Sequence, residues 1–177
     1  MSTYGIIQTK DVGKTLTAVA MVKYFILERG YDPREVYANF EIRYPGCHAL
    51  TSEGIRQLIG QIMHLGWRHK IIVIDEANTV FPARLWGDKE RTKELLSLWQ
   101  DVKMFHKIIY TSHIGRAVDL LLRQATDFDI IPWIDRQEDC VNLRVINGVD
   151  LDKTSICIPN ASSYYKDYNR WGEIVAS

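Results

Sequence analysis

Two short stretches of this chain bring together residue types that do chemistry as a set. Gly13-Lys14-Thr15 joins a glycine, a cation and a hydroxyl, and Asp75-Glu76 sets two carboxylates side by side. A lysine opening a helix after a glycine-containing loop can reach the β- and γ-phosphates of a nucleoside triphosphate, and the next hydroxyl can ligate Mg²⁺. Of the two acids, Asp75 would hold the metal through water and Glu76 would accept a proton from an attacking water. Each half has a plainer reading. Gly-Lys-Thr can open a helix with no ligand, and two acids can cap a solvated loop at a sheet edge. Their joint occurrence after two different strands, about sixty residues apart, is what points to one nucleotide site.

The regular phosphate loop is a glycine, four free positions, then Gly-Lys-Ser/Thr. Here Gln8 holds the first glycine's place and Thr9, Lys10, Asp11 and Val12 fill the free positions. Residues 8–15 are therefore the candidate phosphate-binding set, with Thr15 and Asp75 as the metal pair.

Such residues need a frame. Tyr4-Gly5-Ile6-Ile7 reads as a short strand, and apolar residues from Leu16 to Leu27 recur at helical intervals until Gly30. The order is strand, loop, helix, so Lys14 and Thr15 fall at a helix start, where free N–H groups and the dipole favour a phosphate. Ile71-Ile72-Val73-Ile74 is a run of β-branched residues, as in a strand buried on both faces. Strands of that kind belong to parallel sheets covered by helices, and open sheets place ligands at the strands' carboxyl ends.

Further strands are expected at 36–42, 107–110, 128–134, 141–146 and 155–158, and helices at 51–65, 89–105 and 115–124. Residues 77–87 read as a loop. Pro132 inside the 128–134 run predicts an edge position. The fold class is α/β, one domain over 1–177, with a C-terminal strand and tail region at about 141–177.

Other polar residues have two readings each. His113, after Thr111-Ser112 at the end of a strand, could meet the γ-phosphate or its water, or simply satisfy a local carbonyl. Arg123 could be a finger into a neighbouring subunit's site or an ordinary surface arginine, and Arg84 is a second candidate. Asn39, Trp67 and Trp99 read as structural. Arg91, Lys103, Lys107 and Arg116 could line a nucleic-acid path, although scattered positive residues are mostly solvated surface.

The chain has 177 residues, 22 basic and 22 acidic, for a formal net charge of zero. Bulk charge therefore announces no basic groove, though a ring of subunits could assemble one. Three isolated cysteines, Cys47, Cys140 and Cys157, lack metal-ligand spacing, and their odd number argues against a disulfide set and for a reducing compartment. No apolar run is long enough to span a membrane, and the N-terminus lacks signal-peptide order. A guanine-recognition Asn-Lys-x-Asp run is absent.

The stretch from Ile71 to Arg84, Ile-Ile-Val-Ile-Asp-Glu-Ala-Asn-Thr-Val-Phe-Pro-Ala-Arg, resembles the central segment of P-loop ATPases of the FtsK/HerA type. Within them it resembles the viral genome-packaging ATPases and the zonular-occludens-toxin-like assembly proteins of filamentous phages. Tyr37-Ala38-Asn39 with Tyr44-Pro45, and the tail around Tyr165-Lys166-Asp167-Tyr168 and Glu173-Ile174-Val175, extend the likeness over nearly the whole chain. The resemblance implies an additional-strand, catalytic-glutamate P-loop fold, a mostly parallel sheet with helices on both faces. It implies hydrolysis of ATP with Mg²⁺, and a homo-oligomeric ring of five or six subunits that packages double-stranded DNA, in contact with a capsid or portal protein. It implies Arg123 or Arg84 acting across the subunit boundary, and a place in the host cytoplasm during infection, transiently at the virion. Three features depart from the pattern. Gln8 replaces a glycine, Ser112-His113 stands where Thr-Gln is usual, and no DNA-directing extension or membrane segment is evident. Two other readings stay open: an ATPase driving virion assembly or extrusion, and a nucleotide-binding module without turnover.

Overall fold

The computed structural model describes residues 2–8, 13–80, 101–102, 104, 106–113 and 125–168. β1 (Thr3–Ile7) leads to α1 (Lys14–Arg29), a 3-10 turn (Pro33–Glu35), β2 (Val36–Ala38), β3 (His48–Ala49) and α2 (Ser52–Leu65). Then come β4 (Ile71–Ile74), the short α3 (Ala77–Val80), β5 (Lys107–Ser112), β6 (Phe128–Asp135), β7 (Cys140–Asn147), β8 (Lys153–Pro159) and α4 (Ala161–Tyr164). Among the described residues one sheet of eight strands runs β3-β2-β4-β5-β1-β6-β7-β8. Every pairing from β3 to β6 is parallel, and β6-β7-β8 is an antiparallel meander.

The pleat of β4 explains its sequence. Ile71 and Val73 pack with Leu16, Val19 and Val22 of α1, while Ile72 and Ile74 pack with Ile55, Ile59 and Ile62 of α2. All four β4 residues are fully buried, so both faces of the strand must be apolar. β5 follows the same rule, with Ile109 toward α1 and Ile108 and Tyr110 toward α2. Parallel alignment brings the carboxyl ends of β1, β4 and β5 to one edge, with Ile7 opposite Ser112 and Ile74 opposite Tyr110.

Both helix boundaries follow their signals. α1 ends at Gly30 in the left-handed region (φ 68°), and its N–H reaches the Phe25 carbonyl. Thr51 caps α2 by accepting from the Gly54 N–H at 3.0 Å. Three expectations need correction. β2 stops at Ala38 rather than running to Ile42, because the Asn39 side chain turns to β4. Ala77–Val80 is helical rather than loop, with Ala77 and Val80 packed into the α2-side core.

β6, finally, is an interior strand. It pairs with β1 only through Ile130, and Pro132 lies beyond that point. The Pro132 carbonyl faces the Gln8 side chain at 3.4 Å. The proline nitrogen, on the same side of the strand, therefore has no ladder hydrogen bond to lose. Asp101, Val102 and Met104 are helical, within the helix expected at 89–105. The helix expected at 115–124 lies outside the described residues.

Candidate nucleotide site

Gly13 is the N-cap of α1 at φ 86°, ψ 22°, a left-handed conformation that glycine adopts without steric cost. A Cβ there would also sit 3.2 Å from the Ile134 side chain, so the β6–β7 hairpin closes over this turn. The first turn of α1 has no side-chain cap and no acidic residue. The positive dipole end of α1 therefore carries no carboxylate of its own first turn, an arrangement that favours an anion. Lys14 opens the helix yet is only 5% exposed, its ammonium held inward. It donates to the Gln8 carbonyl and to His113 Nδ1, both at 3.3 Å.

An ammonium only donates, so His113 accepts at Nδ1 and carries its proton on Nε2. Nε2 lies 2.9 Å from Glu76 Oε1. Lys14, His113 and Glu76 therefore form one chain of contacts across the ends of α1, β5 and β4. The Thr15 hydroxyl donates to both Asp75 carboxylate oxygens, at 3.1 and 3.2 Å. A hydroxyl and a carboxylate in contact are hard oxygen donors of the kind Mg²⁺ takes, with phosphate oxygens and water completing its shell. Among the described residues no group of three or more His, Cys, Asp or Glu could hold a metal ion.

Two residues not assigned to the site from sequence hold the acids. The Asn39 carboxamide donates to the Asp75 carbonyl at 2.8 Å and accepts from the Asp75 N–H at 2.7 Å. The fully buried Thr111 hydroxyl donates to Asp75 Oδ1 at 2.5 Å and accepts from the Glu76 N–H at 2.9 Å. Glu76 itself sits at φ 52°, which costs a non-glycine residue about 1 kcal/mol. The Thr111 bond to its N–H helps hold that strained backbone. Asn39, read as structural from sequence, belongs to this site. The rule that drew attention to Asp75 applies to it equally, since it directly follows a parallel strand.

Of the sequence-derived candidates, Gln8, Gly13, Lys14, Thr15, Asp75, Glu76 and His113 come together. Gln8 contributes its main-chain carbonyl to Lys14 and its side-chain amide to Pro132. Thr9, Lys10, Asp11, Val12, Arg84 and Arg123 lie outside the described residues, as do Arg91, Lys103 and Arg116. Lys107 does not join a path at the site. It begins β5, at the opposite edge of the sheet, and its ammonium rests 4.6 Å from the Phe25 ring centroid.

An open, mostly parallel sheet with helices on both faces, whose first strand–helix turn faces an acidic strand end, defines an α/β domain compatible with the P-loop type. The chain matches no protein-family model and no curated protein. Among solved structures it is similar to the N-terminal domain of zonular occludens toxin from Neisseria meningitidis. The TM-score is 0.63 and the identity 18%, and the match covers 96% of this chain and all of that one. At that identity the likeness is one of fold. No helix among the described residues is long and apolar enough to cross a membrane.

Proposed function

We propose that this chain is a Mg²⁺-dependent ATPase of the additional-strand, catalytic-glutamate P-loop type, working in a homo-oligomeric ring. The observation that carries the reading is the convergence of Lys14, His113 and Glu76 beside the Thr15–Asp75 pair. The strand order supports the subtype, because β5 intervenes between the phosphate-loop strand β1 and the acid-bearing strand β4. Lys14 and the α1 N-terminus bind the triphosphate, and Thr15 and Asp75 hold Mg²⁺. When bound, the metal neutralises charge on the phosphate oxygens. Glu76 orients the attacking water and takes its proton, and His113 fixes the Glu76 carboxylate relative to Lys14. Nucleotide phosphate would compete with His113 for the Lys14 ammonium, so His113 is set to report whether the γ-position is filled. Arg123, or else Arg84, would complete the site from the neighbouring subunit.

The work this hydrolysis drives has two readings. The sequence resemblance to genome-packaging ATPases supports translocation of double-stranded viral DNA, with a capsid or portal protein as docking partner. The sequence resemblance to the zonular-occludens-toxin-like assembly proteins supports a phage-assembly role instead, and the zonular occludens toxin domain shares the fold at 18% identity. Steady-state ATP hydrolysis at several protein concentrations, with and without linear double-stranded DNA, separates them. Turnover that rises more than linearly with protein and further with DNA supports the DNA motor. Turnover indifferent to DNA supports assembly, and no turnover refutes the ATPase.

A further inference from the structure

We infer that Asn39 and Thr111 are positioning residues for the acid pair, acting from its two sides; the inference rests on the ATPase reading of that pair. The main-chain ladder between β2 and β4 ends at Ala38 opposite Val73. One residue later the Asn39 carboxamide makes both hydrogen bonds that a neighbouring strand would make to Asp75. It thereby extends the pairing by one residue after the β2 backbone has turned away. On the β5 side, the Thr111 hydroxyl spends its one proton on Asp75 Oδ1 and accepts the Glu76 N–H. The Asp75 peptide, the Asp75 carboxylate and the Glu76 backbone are thus each fixed by a neutral side chain.

The two grips divide the work. Asn39 sets where the Asp75 peptide lies along the sheet edge. Thr111 sets the carboxylate's rotation and keeps Glu76 in its left-handed conformation. Loss of either leaves both acids present but free to move relative to Thr15 and Lys14. The expected signature is a fall in turnover and metal affinity with nucleotide binding preserved, because the phosphate-binding groups belong to α1.

The test uses the full chain as wild type, Asn39→Ala, Thr111→Val and Thr111→Ser. Three quantities are measured: kcat and KM for ATP, Mn²⁺ binding by electron paramagnetic resonance with a non-hydrolysable ATP analogue, and thermal melting. Asn39→Ala and Thr111→Val are expected to lose about 10–100-fold in kcat and in Mn²⁺ affinity, as supports of metal ligands do, with KM within about threefold. Thr111→Ser, which keeps the hydroxyl, is expected to recover most of the Thr111→Val loss. If kcat and Mn²⁺ affinity fall no further than the folded fraction, or if Thr111→Ser loses as much as Thr111→Val, the inference is overturned while the ATPase reading stands. A wild type with neither turnover nor Mn²⁺–nucleotide binding overturns both.

Discussion

His106 gives the fold a defined sensitivity to acid. Its side chain is fully buried at the start of β5, and Nδ1 accepts the Lys70 N–H at 3.1 Å. Burial pushes its pKa down to about 4 from 6.5, with the nearby Lys70 and His69 charges adding to the effect. The folded protein therefore resists protonating a group that the unfolded chain protonates readily. That contribution to stability is whole above pH 6.5 and is lost as pH falls toward 4. By linkage the loss is on the order of 1 kcal/mol at pH 5.5 and roughly 2–3 kcal/mol at pH 4.5. Urea unfolding of wild type and His106→Asn at pH 7.5, 6.5, 5.5 and 4.5 reads this directly. Asparagine keeps an acceptor for the Lys70 N–H and removes the titration. Carboxylates contribute equally to both proteins, so the difference between the two pH profiles isolates His106. The wild type should lose the larger share, by roughly 2–3 kcal/mol between pH 7.5 and 4.5. Parallel profiles would refute the reasoning, since they would mean that the imidazole is protonated as easily folded as unfolded.

A second prediction concerns Gly5. A Cβ there would lie 2.6 Å from the Tyr110 hydroxyl oxygen and 2.8 Å from Cζ. Tyr110 is fully buried, with its hydroxyl 2.7 Å from Thr126 Oγ1, so it cannot swing aside. Gly5→Ala should lower stability by about 1–3 kcal/mol in urea unfolding, and adding Tyr110→Phe should restore part of it. The cysteines should separate by reactivity. Burial pushes the Cys47 thiol up to about 11, and burial with the neighbouring Cys157 thiol raises that of Cys140, whereas Cys157 is exposed on the outer strand β8. A neutral-pH thiol reagent followed by peptide mapping should label Cys157 first; equal labelling of all three would contradict the burial described.

The sheet was legible where hydrophobic pattern and punctuation agreed. The four β-branched residues of β4 could be little else than a strand covered on both faces, and Gly30 and Gly66 end α1 and α2 as their left-handed geometry allows. Pro132 misled because its edge-strand signal is a statement about one missing N–H, and here that nitrogen lies past the end of β1. The early end of β2 was illegible for a related reason. Asn39 replaces main-chain pairing by side-chain pairing, an exchange invisible to periodicity. The Lys14, Thr15, Asp75 and Glu76 quartet was readable because each residue directly follows a strand or opens a helix. Thr111 was hidden by its role, since a buried hydroxyl that serves a neighbouring peptide looks like any β-branched strand residue.

The central claim is that Lys14 and Glu76 act on one bound Mg²⁺–ATP, the first in binding and the second in turnover. Its most direct test is ATP binding and single-turnover hydrolysis by wild type, Lys14→Ala and Glu76→Gln. The account predicts that Glu76→Gln binds ATP as tightly as wild type and retains it unhydrolysed, slowed by about 10²-fold or more. It predicts that Lys14→Ala fails to bind. Hydrolysis at the wild-type rate by Glu76→Gln, or unchanged ATP affinity in Lys14→Ala, would contradict it.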